Sequence, residues 1–253
     1  IHVHHNTVRG DSALAVQNRT VQCIVILGNS FAMVDHNTVE WCQLGILVSL
    51  SGNAAVDPFK SYNTTIDGNT IRHIDGPYPG DGVTADPSSF MTRIINNTIS
   101  ATKRGIAVTA IDSVVAYNHI HGSLGRGIYI GGTRSRVTGN YIYAPASEGI
   151  YVQDDGIFVT DNTITNTTNG IDFNGKITVS ERNAYATVTN PEINRGKAGG
   201  ELILANNAKI VTYNGDQSFP RNLIYVDANS LTSMDLNGFK LRLVGPATSG
   251  SAT

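Results

Sequence analysis

Asp81, Arg104, Arg126 and Glu148 share one local address: each stands directly before a glycine that is followed by Val or Ile. Two positions past those glycines come Thr84, Ala107, Tyr129 and Tyr151, and one unit later the same place holds Asp172. Lys103 precedes Arg104, and Asp86, Asp154 and Asp155 lie a few residues beyond the short apolar stretches. Carboxylates, guanidinium groups and phenols in one recurring frame are the equipment of acid–base work on a polyhydroxylated substrate. A phenol offers an apolar ring with a polar tip, and arginine meets anionic groups through a planar fork. Cleaving a glycosidic bond by hydrolysis takes two carboxyl groups about 5–9.5 Å apart. β-Elimination from a uronate instead takes cations over the sugar carboxylate and a base for the adjacent proton. Arg104, Arg126, Lys103 and Tyr129 are of the second type; Asp81, Asp86, Glu148 and Asp172 offer carboxyls for the first.

What positions these residues is a repeat. Asn6, Asn37, Asn69, Asn97, Asn118, Asn140 and Asn162 recur at gaps of 31, 32, 28, 21, 22 and 22 residues. Three residues before each stands Val3, Val34, Ile66, Ile94, Val115, Val137 or Val159; two residues after stands Val8, Val39, Ile71, Ile99, Ile120, Ile142 or Ile164. Gly45, Gly82, Gly105, Gly127, Gly149 and Gly170 each follow with aliphatic or aromatic residues at the first and third places after them. Each unit thus carries three short strands, too few to bury a face alone. Stacked coils solve this by pairing each strand with its equivalent one coil away, about 4.8 Å distant. The recurring Asn suits a left-handed corner, and its amide can bond the next coil's Asn as a ladder. The expected fold is all-β: a parallel β-helix with three-strand coils of about 22 residues.

Val-x-x-Asn-x-Ile followed by Gly-Ile-x-Val, as in Val137 to Val152, resembles the repeat of the pectate-lyase-like superfamily of right-handed parallel β-helices. That group includes polysaccharide lyases, mannuronan epimerases and phage tailspike depolymerases. The resemblance implies that the Gly-Ile-x-Val segment is the first-sheet strand, with the Asn turn between the second and third. It further implies a substrate cleft on the outer face of the first sheet. On this reading Asp81, Asp86, Arg104, Arg126, Glu148 and Asp172 are the candidate catalytic residues, and Lys103, Tyr129, Tyr151, Asp154 and Asp155 the candidate substrate contacts. The implied protein is a polysaccharide lyase or glycoside hydrolase acting on an acidic bacterial or algal glycan. A homotrimer and an extracellular or virion (phage tail) location go with it. A non-catalytic glycan-binding or structural fibre module is the alternative. The Asp-Pro-His-like motif of the epimerases is absent; "ADPSS" keeps only Asp86 and Pro87.

Register alone does not assemble a hydrolase pair. Glu148 and Asp154 fall about 20 Å apart along one strand, Asp81 and Glu148 about 14 Å apart across three coils, and Asp172 about 11 Å from either Glu148 or Asp154. Asp75, Asp81 and Asp86 could converge only if the loop "RHIDGPYPGD", stiffened by Pro77 and Pro79, folds back. Insertions between Val16 and Val34, Val48 and Ile66, and Ile71 and Gly82 could wall the same face.

Residues 1–195 are expected to form the β-helix, with Asn183 in the Asn slot of a last coil, and residues 196–253 a β-rich C-terminal cap or tail. The chain opens on a second-sheet strand, "IHVHHN", which suggests that coils precede it. A formal net charge of -2 with 15% charged residues gives no basic footprint for nucleic acid. The longest apolar runs, such as "CIVIL", are far too short to span a bilayer. Cys23 and Cys42 read as two buried thiols, with a bridge as the alternative. Calcium would need clustered carboxylates, and Asp154-Asp155 is too small a cluster to assign it. His119 and His121 flank inward Ile120 and so point outward, without a visible third ligand. No cofactor is assigned.

Overall fold

In the computed structural model, residues 1–13, 22–50, 60–74, 80–174, 177–193, 201–204 and 224–226 are described. Every regular element among them is a strand, and every strand pair is parallel between neighbouring coils. One coil shows the plan. Arg136–Thr138 lies in the second sheet, Tyr141–Tyr143 in the third and Glu148–Val152 in the first. Val137 pairs with Val159, Ile142 with Ile164 and Tyr129 with Tyr151, the register the repeat predicts. Among the described residues the second sheet has ten strands, and the first and third join through the 11-residue strand Thr163–Phe173 into one sheet of fourteen.

The aliphatic columns fill the interior. Ile94, Val115, Val137 and Val159, Ile99, Ile142 and Ile164, and Ile106, Ile128, Ile150 and Ile171 have no exposed surface, and Ile120 almost none. Each such side chain contributes about 1.5–3 kcal/mol relative to exposure, which is how short strands hold together. The glycine before the first-sheet aliphatic is set by room. A Cβ on Gly127 would stand 2.6 Å from the carbonyl oxygen of Gly149 and 2.6 Å from Cγ2 of Ile142.

The Asn column forms an unbroken ladder. The amide of Asn6 donates to Asn37 Oδ1, and the same link runs through Asn69, Asn97, Asn118, Asn140 and Asn162 to Asn183, at 2.9–3.0 Å each. Each Oδ1 also accepts the backbone N–H of the preceding coil's Asn, for example Asn97 N to Asn118 Oδ1 at 3.0 Å. The left-handed conformation is not on the Asn. It falls on the residue before: His5, His36, Gly68, Asn96, Tyr117, Gly139, Asp161 and Arg182, with φ between 50° and 66°. Asn is there for its amide; the preceding residue makes the corner.

Two further findings differ from the sequence expectations. Cys23 and Cys42 form a disulfide, with Cα atoms 6.0 Å apart, rather than two thiols. Cys23 enters the first-sheet strand Gln22–Leu27 and Cys42 follows the third-sheet strand Thr38–Glu40, so the bridge closes one corner of the coil stack. In the last coil, Ser180, Tyr185 and Glu192 stand in register with Val159, Ile164 and Ile171, replacing aliphatic core residues with polar ones. Beyond residue 195, Glu201–Leu204 and Ile224–Val226 continue the second sheet in parallel from Ile177–Glu181. Asp75, Pro77 and Pro79, most of the insertions and the terminal "GPATSGSAT" lie outside the described residues.

Candidate functional site

The first sheet presents its outer column through the strands Asp81–Ala85, Arg104–Val108, Ile128–Ile130 and Glu148–Val152, and the end of Thr163–Phe173. The residues before the glycines do not stand apart in solvent. Asp81 is fully buried and receives both arms of the Arg104 fork, Nε and Nη2 each at 2.7 Å, while Thr84 donates to Oδ2 at 2.9 Å. Arg126 donates through Nε to Glu148 Oε2 at 2.9 Å, and the Ser147 hydroxyl donates to the same oxygen at 2.7 Å. The column of two acids around two bases is therefore two ion pairs, each spanning one coil step. Both guanidinium groups remain 31% exposed along their outer sides.

Tyr129 and Tyr151 are stacked across one coil, with ring centroids 5.6 Å apart and planes within 10°. Arg126 lies 3.7 Å above the Tyr151 ring and 5.6 Å from Tyr129, while Arg104 sits 5.5 Å from Tyr129 on its other neighbour strand. The rings are layered with cations along the solenoid axis. Their facing surfaces are turned towards one another and towards arginine, so the groove offers hydroxyls and ring edges more than open ring faces.

The solvent column is also more covered than its register implied. Ala107 is 5% and Asp172 8% exposed; Asp172 pairs in register with Tyr151 on one side and Ile193 on the other. Lys103 is exposed, and its backbone N–H closes the corner to Ile74 and Gly80. Asp86 accepts from Ser88 N at 2.9 Å and from the hydroxyls of Ser49 and Ser88, fastening the turn after Ala85 to the neighbouring coil.

Two carboxyls on this face are tuned apart. Burial pushes Glu148 upward, but the Ser147 hydroxyl and the Arg126 guanidinium outweigh it and hold the group below its ordinary value. Asp154 is pushed above its ordinary value, first by burial and then by the charge of Asp155. Burial raises the Tyr129 phenol as well, and the Asp154 charge adds to it, which sets Asp154 electrostatically against Tyr129. Arg104, Arg126, Tyr129, Tyr151 and Glu148 share this column, Asp154 and Asp155 follow just past the strand Glu148–Val152, and Asp81 and Asp86 are held in structural bonds. Opposed shifts of this kind are how acid and base roles separate. The signal for Asp154 was its pairing with Asp155 in sequence; that its charge acts on Tyr129 was not legible there.

A second aromatic group, on the third sheet, was visible only in part. His119 stands edge-on to Tyr141 at 4.8 Å and His121 stacks on Tyr143 at 5.0 Å, with all four side chains exposed. Among the described residues no group of three His, Cys, Asp or Glu side chains stands ready to hold a metal ion.

Residues 22–184 and 126–239 match the family described as the right-handed β-helix region. The chain belongs to that family. None of the curated proteins matches it. Among solved structures, a mutant DFA-IIIase from Arthrobacter chlorophenolicus A6 in complex with DFA-III is similar, with a TM-score of 0.53 and 13% identity, over 83% of this chain and 51% of that one. The same enzyme without its lid matches with a TM-score of 0.53 and 12% identity, over 78% and 53%. The chain spans about half the length of these structures. At such identity the likeness is one of fold.

Proposed function

We propose that this β-helix is a glycan-cleaving enzyme whose substrate lies along the outer face of the first sheet, with Asp154 as proton donor. The observation that carries the reading is the upward-shifted Asp154 carboxyl set against Tyr129 and beside Asp155. A carboxyl that burial and a neighbouring charge make a weaker acid holds its proton more tightly and can deliver it to a departing glycosidic oxygen. The second carboxyl would come from Asp155, because Glu148, about 20 Å away along the strand, and Asp172, about 11 Å away, both exceed the 5–9.5 Å that hydrolysis tolerates. The similar DFA-IIIase structures, of a carbohydrate-processing enzyme, support a carbohydrate substrate at a coarse level.

Hydrolysis is better supported than β-elimination. Arg104 and Arg126 are each committed to a carboxylate, and releasing them to neutralise a uronate would strand fully buried Asp81 or partly buried Glu148. The same commitment favours a neutral glycan over the acidic polymer that the charge column suggested. The Cys23–Cys42 bridge supports action outside a reducing cytosol. A tailspike-type trimer fits the exposed Phe31, Met91 and Leu124 on the coil surface, and a monomer in sedimentation at tens of micromolar would remove that part of the reading.

The second reading, a glycan binder without turnover, is favoured by the closed ion pairs and layered rings, which need no substrate to be satisfied. Incubation with a panel of neutral and acidic polysaccharides separates the outcomes. Reducing ends without new absorbance at ~235 nm indicate hydrolysis; new absorbance indicates elimination. Retention on a glycan gel with neither signal leaves the binder.

A further inference from the structure

Away from the first-sheet face, the third sheet and the corner after it carry their own ordered set of outward side chains. Arg72 pairs in register with Ser100, and Ser100 with His121, so these three stand on consecutive coils. Thr70, Thr98 and His119 form the parallel column two residues earlier. At the corner, Trp41, His73 and Ala101 adopt φ of 61°, 56° and 50°. Trp41 and His73 stack there at 4.1 Å, with planes within 7°.

Each large side chain bordering the rung of Thr98, Ser100 and Ala101 is engaged on its far side. His73 gives one face to Trp41. Arg72 donates through Nε to Glu40 Oε2 at 2.7 Å, and Glu40 also holds Arg9. On the other border His121 stacks on Tyr143 at 5.0 Å, and His119 meets Tyr141 edge-on at 4.8 Å. The rung between them rises no higher than threonine: Thr98 is exposed, and Ser100 and Ala101 are partly so. The result is a slot with Arg72 and His73 as one wall and His119 and His121 as the other. The walls stand two coil steps, about 9.6 Å, apart.

That width selects the occupant. Carbon atoms in contact stand about 3.5–4.0 Å apart, so a flat aromatic ring between two walls fills only about 7–8 Å. A puckered pyranose chair is thicker by its axial hydrogens and fills the remainder. It would offer C–H groups to the rings of His73 and His121, and hydroxyls to Thr98, Ser100 and the half-exposed Arg72 guanidinium. Glu40 already neutralises that guanidinium, so the slot does not call for an anionic sugar. We propose that the slot binds one pyranosyl unit of a neutral glycan, as a site on the third sheet that shares no residue with the first-sheet face. Binding here holds the polymer against the solenoid whether or not the first sheet cleaves it.

Trp41 is the chain's one tryptophan and stacks behind the His73 wall, so its emission reads this site. The test is titration of the full chain with cellohexaose, maltohexaose and xylohexaose, with adenosine monophosphate as the flat-ring control. A saturable change in Trp41 emission is expected with at least one hexaose. Ser100→Tyr, which fills the slot without removing a wall, should abolish it. His121→Ala should weaken it about 2- to 12-fold, the scale of one stacked ring contact. Circular dichroism checks that both variants fold, as expected for positions on the outer surface. Four results would each overturn the proposal: no response to any hexaose, a response to the nucleotide alone, a response unchanged in Ser100→Tyr, or one lost in first-sheet Tyr151→Ala instead. None of them bears on turnover at Asp154, which is read separately from reducing ends.

Discussion

Tyr185 donates its hydroxyl to Glu192 Oε1 at 2.6 Å in the middle of a solenoid core, and Ser180 donates to the same oxygen at 3.0 Å. Ser180 in turn accepts from Asn183, the last rung of the amide ladder. The ladder points its N–H groups the same way at every step, so its donor end finishes, through one hydroxyl, on a carboxyl. A carboxyl oxygen there accepts at the donor end of the aligned amides, as capping acceptors do at a helix N-terminus.

Tyr185→Phe should therefore destabilise the protein by about 1–3 kcal/mol, the cost of removing a donor from a buried acceptor. Replacing all three residues by the aliphatics of the preceding coil, Ser180→Val with Tyr185→Ile and Glu192→Ile, leaves one amide N–H of Asn183 without its acceptor but no carboxyl behind, so it should cost no more than Tyr185→Phe. Urea midpoints of the two variants decide it; a triple variant weaker than Tyr185→Phe would mean that the polar set holds this coil together.

The Asn ladder makes a sharper claim. Asn118→Ala removes the acceptor for both the side chain and the backbone N–H of Asn97. The Asn97 backbone N–H is left stranded while its amide keeps the Ile66 and Ile95 carbonyls. Asn140 Oδ1 and the carbonyls of Ile94 and Ala116 lose a donor, which predicts a loss of at least about 1–3 kcal/mol. Asn96→Gly, one residue from Asn97 but exposed, keeps the left-handed corner at φ 55° without a Cβ and loses its bond to Asp67, so it should cost far less. Equal thermal shifts in the two variants would contradict the ladder.

The solenoid was legible because its signal is repeated: an aliphatic before and after each Asn, and a glycine that any Cβ would drive into the neighbouring coil. The corner was misread by one residue because polar His36, Asn96 and Asp161 beside the Asn columns all look like turn formers in sequence. The bridge between Cys23 and Cys42 was missed because their spacing of 19 carries no motif; their proximity depends on how a coil returns. At the site, the residue types were legible and their commitments were not. Arg104 and Arg126 appear as cations in the sequence, yet each is half of an ion pair one coil away.

That pairing changes what a variant at Arg126 should do. Arg126→Ala leaves Glu148 with the Ser147 hydroxyl and its own backbone N–H, and uncovers the Tyr151 ring. If the groove needs this charge-assisted contact, polysaccharide turnover should fall about 10- to 150-fold for a loss of about 1.5–3 kcal/mol. Glu148, held below its ordinary value, contributes stability that is present above its unfolded value, near 4.5, and is lost as pH falls through the lower folded value. The variant's thermal midpoint should consequently depend less on pH in that acidic window than the wild type's. An unchanged turnover with this loss of acid sensitivity would leave the Arg126–Glu148 pair purely structural.

Asp154→Asn carries the sharpest separation of function from fold. The wild-type carboxyl is pushed up by burial and by Asp155, so the folded chain binds its proton more tightly than the unfolded chain does. The sign follows: this group opposes folding as pH rises through its unfolded value, and the loss is complete above its folded one. A neutral amide of the same shape should then raise the thermal midpoint at neutral pH and leave it nearly unchanged at pH about 3, where the carboxyl is protonated in both states. Turnover should fall in the same variant by about 10²- to 10⁴-fold if Asp154 supplies the proton. A stabilised and inactive protein is the combined outcome expected of a catalytic acid held at a cost in stability. Full turnover in the stabilised variant would take the acid away from Asp154 and leave the first-sheet face as a binding surface.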